Sequence, residues 1–226
     1  MDAPPDTPAA FGPTPRTKVK RYPDRGAYDR EVVYSILDAG LICHVGYVIE
    51  GQPFVTPTAY WREGDLLYWH GSAASRMLRT VGEGVPVCVT VTHVDGIVLA
   101  RSWFDNSMNY RSVMAFGRAE PVQDAEEKRR VLAAFTDRVA PGRTAETRPP
   151  TEQELKATFV MRMRLAEVSA KVRTGPPRDE EADYALPCWA GVVPIRLVLD
   201  EPQADPLLPP GVPVSSAVRA IRLGTP

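Results

Sequence analysis

DLLYWHGSAASR, residues 65–76, is the stretch on which the reading of this chain turns. An apolar run, Leu66 to Trp69, ends at His70-Gly71 and passes directly into Ser72, Ser75 and Arg76. These open the helical stretch SAASRMLRTV, with Ser72 as its N-cap. The first amides of a helix have no intrahelical acceptors and lie at the positive end of its dipole, so such a strand-to-helix turn attracts an anion. Two hydroxyls and a guanidinium suit phosphate oxygens, and Gly71 lets a ligand approach the backbone. A plain capped helix with a solvated Arg76 has the same composition, so the turn alone does not separate the two readings.

Upstream, LICHVGYVI, FVTPTAYW and DLLYWH are strand-like runs separated by the turn strings EGQ and REGD, the pattern of an antiparallel meander. Before them, Val32, Val33, Ile36 and Leu37 recur at helical spacing from Ala27 to Ala39, and Gly40 supplies a stop. Downstream come VPVCVTVTHV, a turn at Asp95-Gly96, IVLARSWF and RSVMAFGRAEPV. Asp124 with Glu127, and Thr151 with Glu154, are capping signals for two helices. FVMRMRLAEVSAKVR then alternates as a single half-buried strand, and VVPIRLVL reads as the last. No parallel βαβ alternation appears. The order favours a mainly β fold with peripheral helices, a partly closed antiparallel barrel. The chain divides into a flexible arm at 1–20, with five prolines, a barrel domain at 21–200 and a proline-rich tail at 201–226.

Composition removes several function classes. Twenty-seven basic against 28 acidic residues leave no excess for a phosphate backbone, so nucleic acid is not an expected partner. No run approaches the roughly 20 apolar residues of a membrane span, and no signal core opens the chain. Cys43, Cys88 and Cys188 lie far apart and His44, His70 and His93 form no ligand motif, so no metal site is expected. An odd cysteine count suits a reducing compartment, which makes the expected location cytoplasmic.

Two further strings carry chemistry. RSWFDNSMNYRSVMAFG, residues 101–117, interleaves Arg101 and Arg111 with Trp103, Tyr110, Asn106, Asn109 and Ser112. Aromatics mixed with Arg and Asn can stack on a planar ring while donating to its polar edge; a polar loop before an edge strand fits equally well. Lys171 and Arg173 share one strand face and offer either a second phosphate contact or a solvated surface. Trp189 reads as a core or interface aromatic. No nucleophile elbow, phosphate loop or Rossmann string is present. His70 is the candidate acid–base group, with a structural histidine bonded to a backbone carbonyl as its rival.

Taken together, the HGSxxSR unit, NYRSVxxFGxA and SAKxRTGPP resemble the flavin-nucleotide-binding members of the pyridoxamine-phosphate-oxidase-like superfamily, in the branch related to nitroimidazole-resistance proteins. The similarity runs from about Arg21 to Glu201. It implies a Greek-key-like FMN-binding split β-barrel that pairs as a homodimer with the flavin at the interface. It implies further that Ser75 and Arg76, with Ser72, bind the flavin phosphate. Thr56, Pro57 and Thr58 would line the ring, and His70 would face the phosphate or the open side of the ring. Arg111 and Ser112 would reach across the dimer. Asn109, Lys171, Arg173 and Trp189 complete the implied set. The strand that bears bases in true oxidases reads Val55-Thr56-Pro57-Thr58-Ala59-Tyr60, and their Ser-Arg-Lys triplet becomes Ser75-Arg76-Met77. The resemblance thus implies an FMN-dependent oxidoreductase acting on an unidentified small molecule, rather than pyridoxamine phosphate oxidation. Its rivals are a flavin-storage protein without turnover and a deazaflavin-dependent reductase.

Overall fold

The computed structural model describes residues 9–224. Its strands are β1 (Gly26–Ala27), β2 (Ile42–Ile49), β3 (Gln52–Glu63), β4 (Leu66–Ser72), β5 (Pro86–Leu99), β6 (Ser107–Pro121), β7 (Thr158–Arg164), β8 (Glu167–Arg173) and β9 (Gly191–Pro194). The helices are α1 (Arg30–Ala39), α2 (Arg76–Gly82), α3 (Ala125–Val139), α4 (Glu152–Ala157) and α5 (Ser216–Arg219). All strand pairs are antiparallel. The order β6-β7-β4-β3-β2-β5 closes on itself through β5–β6, with β8 and β1 continuing off β6 and β9 off β5. The ring is split because long strands change partners: β6 pairs with β8 over Tyr110–Phe116 and with β7 over Ala119–Pro121. This is the expected split barrel.

Alternation within the strands builds two cores. Tyr60, Leu67, Trp69, Val89, Val113 and Met161 fill the ring, and α1 and α2 add Ile36, Leu37, Leu78 and Val81. On the outside of the β3–β4–β7 wall, Trp61, Tyr68 and Val160 pack against Val131 of α3, with Leu132 and Phe135 alongside. A strand whose two faces are both covered reads as continuously apolar, which is why LLYW carries no alternation.

Several expectations shift. Asp95-Gly96 is not a hairpin turn but a bulge inside β5, where Gly96 lies so close to Val192 and Val193 that no side chain would fit. FVMRMRLAEVSAKVR is two strands, because Leu165 bonds back to Asp65 and the chain leaves β4 to pair with β6. The last strand stops at Pro194. The first helix starts at Arg30 behind Asp29, and α2 starts at Arg76 with Ser75, not Ser72, as its N-cap. The described part of the arm, residues 9–20, is packed: Phe11 is buried in the core edge-on to Tyr34, and Thr17 is buried. The tail also docks, with Ala217 buried and its amide donating to Glu146, while Gly224 lies against Ala39. No described helix is long and apolar enough to cross a membrane.

Candidate functional site

The residues singled out from the sequence separate into groups. At one end of the ring, Ser75 Oγ accepts from the Leu78 amide at 3.4 Å and Ser72 Oγ from the Ala74 amide at 3.2 Å. Arg76 lies 4.5 Å over the Phe54 ring, and no carboxylate pairs with it among the described residues. Phe54 in turn stacks on Tyr47. Gly71 does not open the backbone to a ligand; Leu78 occupies that space, 3.0 Å from where a Cβ would stand. Thr56 is half-buried on the same strand face as Phe54 and Tyr60, sharing a hydrogen bond of 3.2 Å with Tyr47, and Thr58 bonds its neighbour's carbonyl at 3.4 Å. Pro57 faces the other way. Register places it in one row with His44, Thr90 and Met114 on the outer surface of the sheet. No described residue covers that surface: Val55 there is 67% exposed, and Ile42, Val48 and Met114 are also exposed.

The second group lies toward the other end of β6. Arg111 is five residues from Phe116, the residue opposite Cys88 near the Phe54 end, which is about 17 Å along a strand. Its guanidinium is committed to Asp95 by two bonds of 2.9 Å and it lines a cavity of about 520 Å³ roofed by Ile195 and Leu197. Ser112, on the opposite face, donates to the Lys171 carbonyl. Lys171 and Arg173 do share a face. Arg173 is buried and donates to Asn109 Oδ1 and to the carbonyls of Gly175 and Pro176, so Asn109 serves the fold of this corner. Trp189 is exposed, with its ring over Gly191. Within one chain, Arg76 and Arg111 therefore do not meet.

His70 departs furthest from expectation. It does not face the phosphate turn. β4 alternates Trp69 into the ring and turns His70 outward toward α3, where its imidazole lies 5.8 Å from the Trp61 ring and 4.7 Å from Phe135. Its Nδ1 is buried with no hydrogen-bond partner, and burial pushes its pKa below the usual 6.5, so the ring is neutral at neutral pH. It opens into a cavity of about 960 Å³ between α3 and the segment leading to α4. Leu132, Phe135 and Thr136 form its walls and three arginines its rim. Arg130 pairs with Glu63 at 2.8 Å, Arg148 with Glu154 at 2.7 Å, and Arg129 with Glu126 at 3.5 Å and with Glu152. Hydrogen bonds from Arg148 and the Thr151 amide hold Glu154 down to about 2. A neutral imidazole with an unsatisfied nitrogen at the mouth of an apolar cavity is suited to ligating a metal within a large planar group. None of α3's contributions was singled out from the sequence. The available signal was that Trp61, Tyr68 and His70 all fall on the face opposite Trp69, which demands a second cover.

The family model described as pyridoxamine 5'-phosphate oxidase matches residues 29–172. Among solved structures, the flavocytochrome Anf3 from Azotobacter vinelandii is 47% identical, covering 96% of this chain and 100% of its own, with a TM-score of 0.90. The FAD and heme binding protein from Mycobacterium smegmatis is 39% identical over 87% of this chain and 97% of its own, with a TM-score of 0.84. A candidate 5-nitroimidazole antibiotic resistance protein from Bacteroides thetaiotaomicron is 26% identical over 65% of this chain and 86% of its own, with a TM-score of 0.53. No curated protein matches the chain. The split ring, the Ser-Arg turn and these likenesses agree: the chain belongs to the pyridoxamine 5'-phosphate oxidase family.

Proposed function

We propose that this protein is a flavin- and heme-binding oxidoreductase that works as a homodimer. The observation that carries the reading is His70: an imidazole with an unpartnered buried nitrogen, at an apolar cavity of about 960 Å³, in a chain 47% identical to a flavocytochrome. In this reading His70 would hold the heme iron, and Phe135 and Leu132 would supply the apolar walls for its ring. Arg129, Arg130 and Arg148, which also line the cavity, would be the cations available to its carboxylates. The flavin belongs to the other wall, with Ser72, Ser75 and Arg76 at its phosphate and the bare row of Pro57, His44 and Thr90 beside its ring. Sequence alone favours FMN; the FAD- and heme-binding relative favours the longer nucleotide, and the same turn holds the phosphate next to the ribityl chain in either.

A second copy of the chain completes the flavin site. Arg76 and the group containing Arg111 and Ser112 lie apart within one protomer, and the sheet face between them exposes Ile42, Val48, Val55 and Met114. An uncovered apolar sheet of this kind marks an interface. When bound, the two groups supply hydride acceptance and single-electron transfer. The chain's part is to hold them at separate places on the outer surface of the ring, and to shield the heme pocket from water with α3.

The test is the visible spectrum of protein purified with heme supplied. Wild type should carry both flavin and Soret bands. His70→Ala should lose the Soret band while keeping flavin and the thermal midpoint of the folded chain. A Soret band of undiminished height and position in that variant would remove His70 from the ligand role.

A further inference from the structure

Arg173 is one of four polar or charged residues that are buried among the described residues. Its guanidinium donates to Asn109 Oδ1, to the Gly175 carbonyl at 3.5 Å and to the Pro176 carbonyl at 3.3 Å. All three acceptors are neutral, and no carboxylate pairs with it among the described residues. Arg173 also lines a small cavity of about 130 Å³, together with Asp24, Arg25, Val172, Thr174 and Arg178. Three guanidiniums against one carboxylate give this cavity a net charge of +2. Asp24 lies 3.9 Å from Arg178, too far for a hydrogen bond, and leaves the other two unneutralised.

The arginines are also held in place. Tyr22 adopts a left-handed backbone with φ 56°, a conformation that costs free energy in a non-glycine residue. It opens the short turn Pro23–Arg25, and its ring lies 4.1 Å beneath the Arg25 guanidinium. Arg173 is fixed by its three bonds to the 173–176 corner. Like charges assembled this closely are unfavourable without a counter-ion. Burial, followed by the charges of Arg25 and Arg178, pushes the Arg173 pKa below the ordinary guanidinium value, as expected for cations that face one another.

We propose that this cavity binds a phosphate-type oxyanion, with Arg173 as its buried anchor and Arg25 and Arg178 closing over it. A cavity of about 130 Å³ is large enough for one tetrahedral anion. The proposal does not rest on either cofactor. Arg173 stands opposite Tyr110 near the start of β6, six residues from Phe116, which places it about 20 Å along the strand from the end where Arg76 lies on Phe54. The anion is either the phosphate of a free phosphorylated small molecule or a phosphate of a nucleotide cofactor reaching in from the second copy.

Titration of inorganic phosphate and of pyrophosphate, followed by calorimetry and thermal midpoint, separates these sources. Both flavin-loaded protein and protein stripped of flavin are used. Arg25→Gln combined with Arg178→Gln changes two residues outside the core and should leave the unliganded midpoint and the Soret band unchanged, while weakening phosphate about tenfold or more. Equal binding to loaded and stripped protein would assign the site to a free phosphorylated ligand. Binding to stripped protein alone, with added flavin nucleotide displacing phosphate, would assign it to the cofactor. The proposal fails if phosphate binding is not saturable in either form, or if the double variant binds as wild type does. Loss of flavin or heme from His70→Ala bears on the proposed function alone and leaves this site untouched.

Discussion

At the scale of single residues, His70 and Arg173 are both polar groups carried into the interior: His70 keeps a buried nitrogen without a hydrogen-bond partner, and Arg173 has neutral acceptors but no paired carboxylate among the described residues. For His70 the consequence is measurable through acid stability. Its folded pKa is held below 6.5, so on acidification the unfolded chain takes up a proton before the folded one does. Stability is therefore full above about pH 6.5 and is lost as pH falls below it toward the depressed folded value. In heme-free protein, His70→Phe should fall less steeply in thermal midpoint than wild type between about pH 7 and pH 5.5. Parallel curves would show that the ring does not carry this sensitivity. None of this was legible in HGSAASR. The string shows a histidine at the end of a strand, but which side of the wall it faces depends on what lies on the other side, and that cover comes from α3, more than 50 residues away.

Among the elements, those written in local signals appeared as read. The Thr151–Glu154 capping box forms at the head of α4 and Asp124 caps α3, because both use bonds within one turn of helix. The meander of β2, β3 and β4 followed from its alternating runs and short turns. What failed were junctions decided by tertiary pairing. Asp95-Gly96 has the sequence of a hairpin, yet Arg111 holds Asp95 by two bonds and β6 pairs along both sides of the bulge, so β5 runs straight through. Ser72 has the chemistry of an N-cap, but β7 pairs with β4 as far as Ser72 and delays the helix by one turn. Because α3 closes the cavity beside His70, its cap bears on the proposed heme site: Asp124→Ala should cost about 1 kcal/mol in thermal or urea unfolding. It should also loosen heme retention without altering flavin content. An unchanged unfolding midpoint would show that the Glu127 amide finds another acceptor.

For the molecule as a whole, the barrel itself was legible because its strands are numerous, short-looped and free of βα alternation. The site was less legible: Ser75 and Arg76 do open a helix after β4, whereas Arg111, Asn109 and Arg173 spend their donors or acceptors on Asp95, Gly175 and Pro176. A single chain leaves a wide apolar sheet uncovered, and Trp103 and Phe104 stand 97% and 92% exposed on the loop after β5. If two copies cover this surface, a charge placed in it should separate them. Val55→Glu with Met114→Glu is expected to convert a two-chain particle to a single chain in sedimentation and to release flavin, with the far-ultraviolet spectrum retained. A wild-type particle of one chain would end the dimer reading.

One consequence of β4 concerns the chain's length rather than its chemistry. Trp69 and His70 are neighbours on that strand, yet they face opposite compartments, and the hairpin Arg62–Asp65 sets which faces which. Losing or gaining a single residue in that hairpin would turn the imidazole inward and the indole outward, inverting every side chain as far as Ser72. Inserting one residue in that hairpin is therefore expected to disrupt both compartments, whereas inserting two would keep each side chain on its own side.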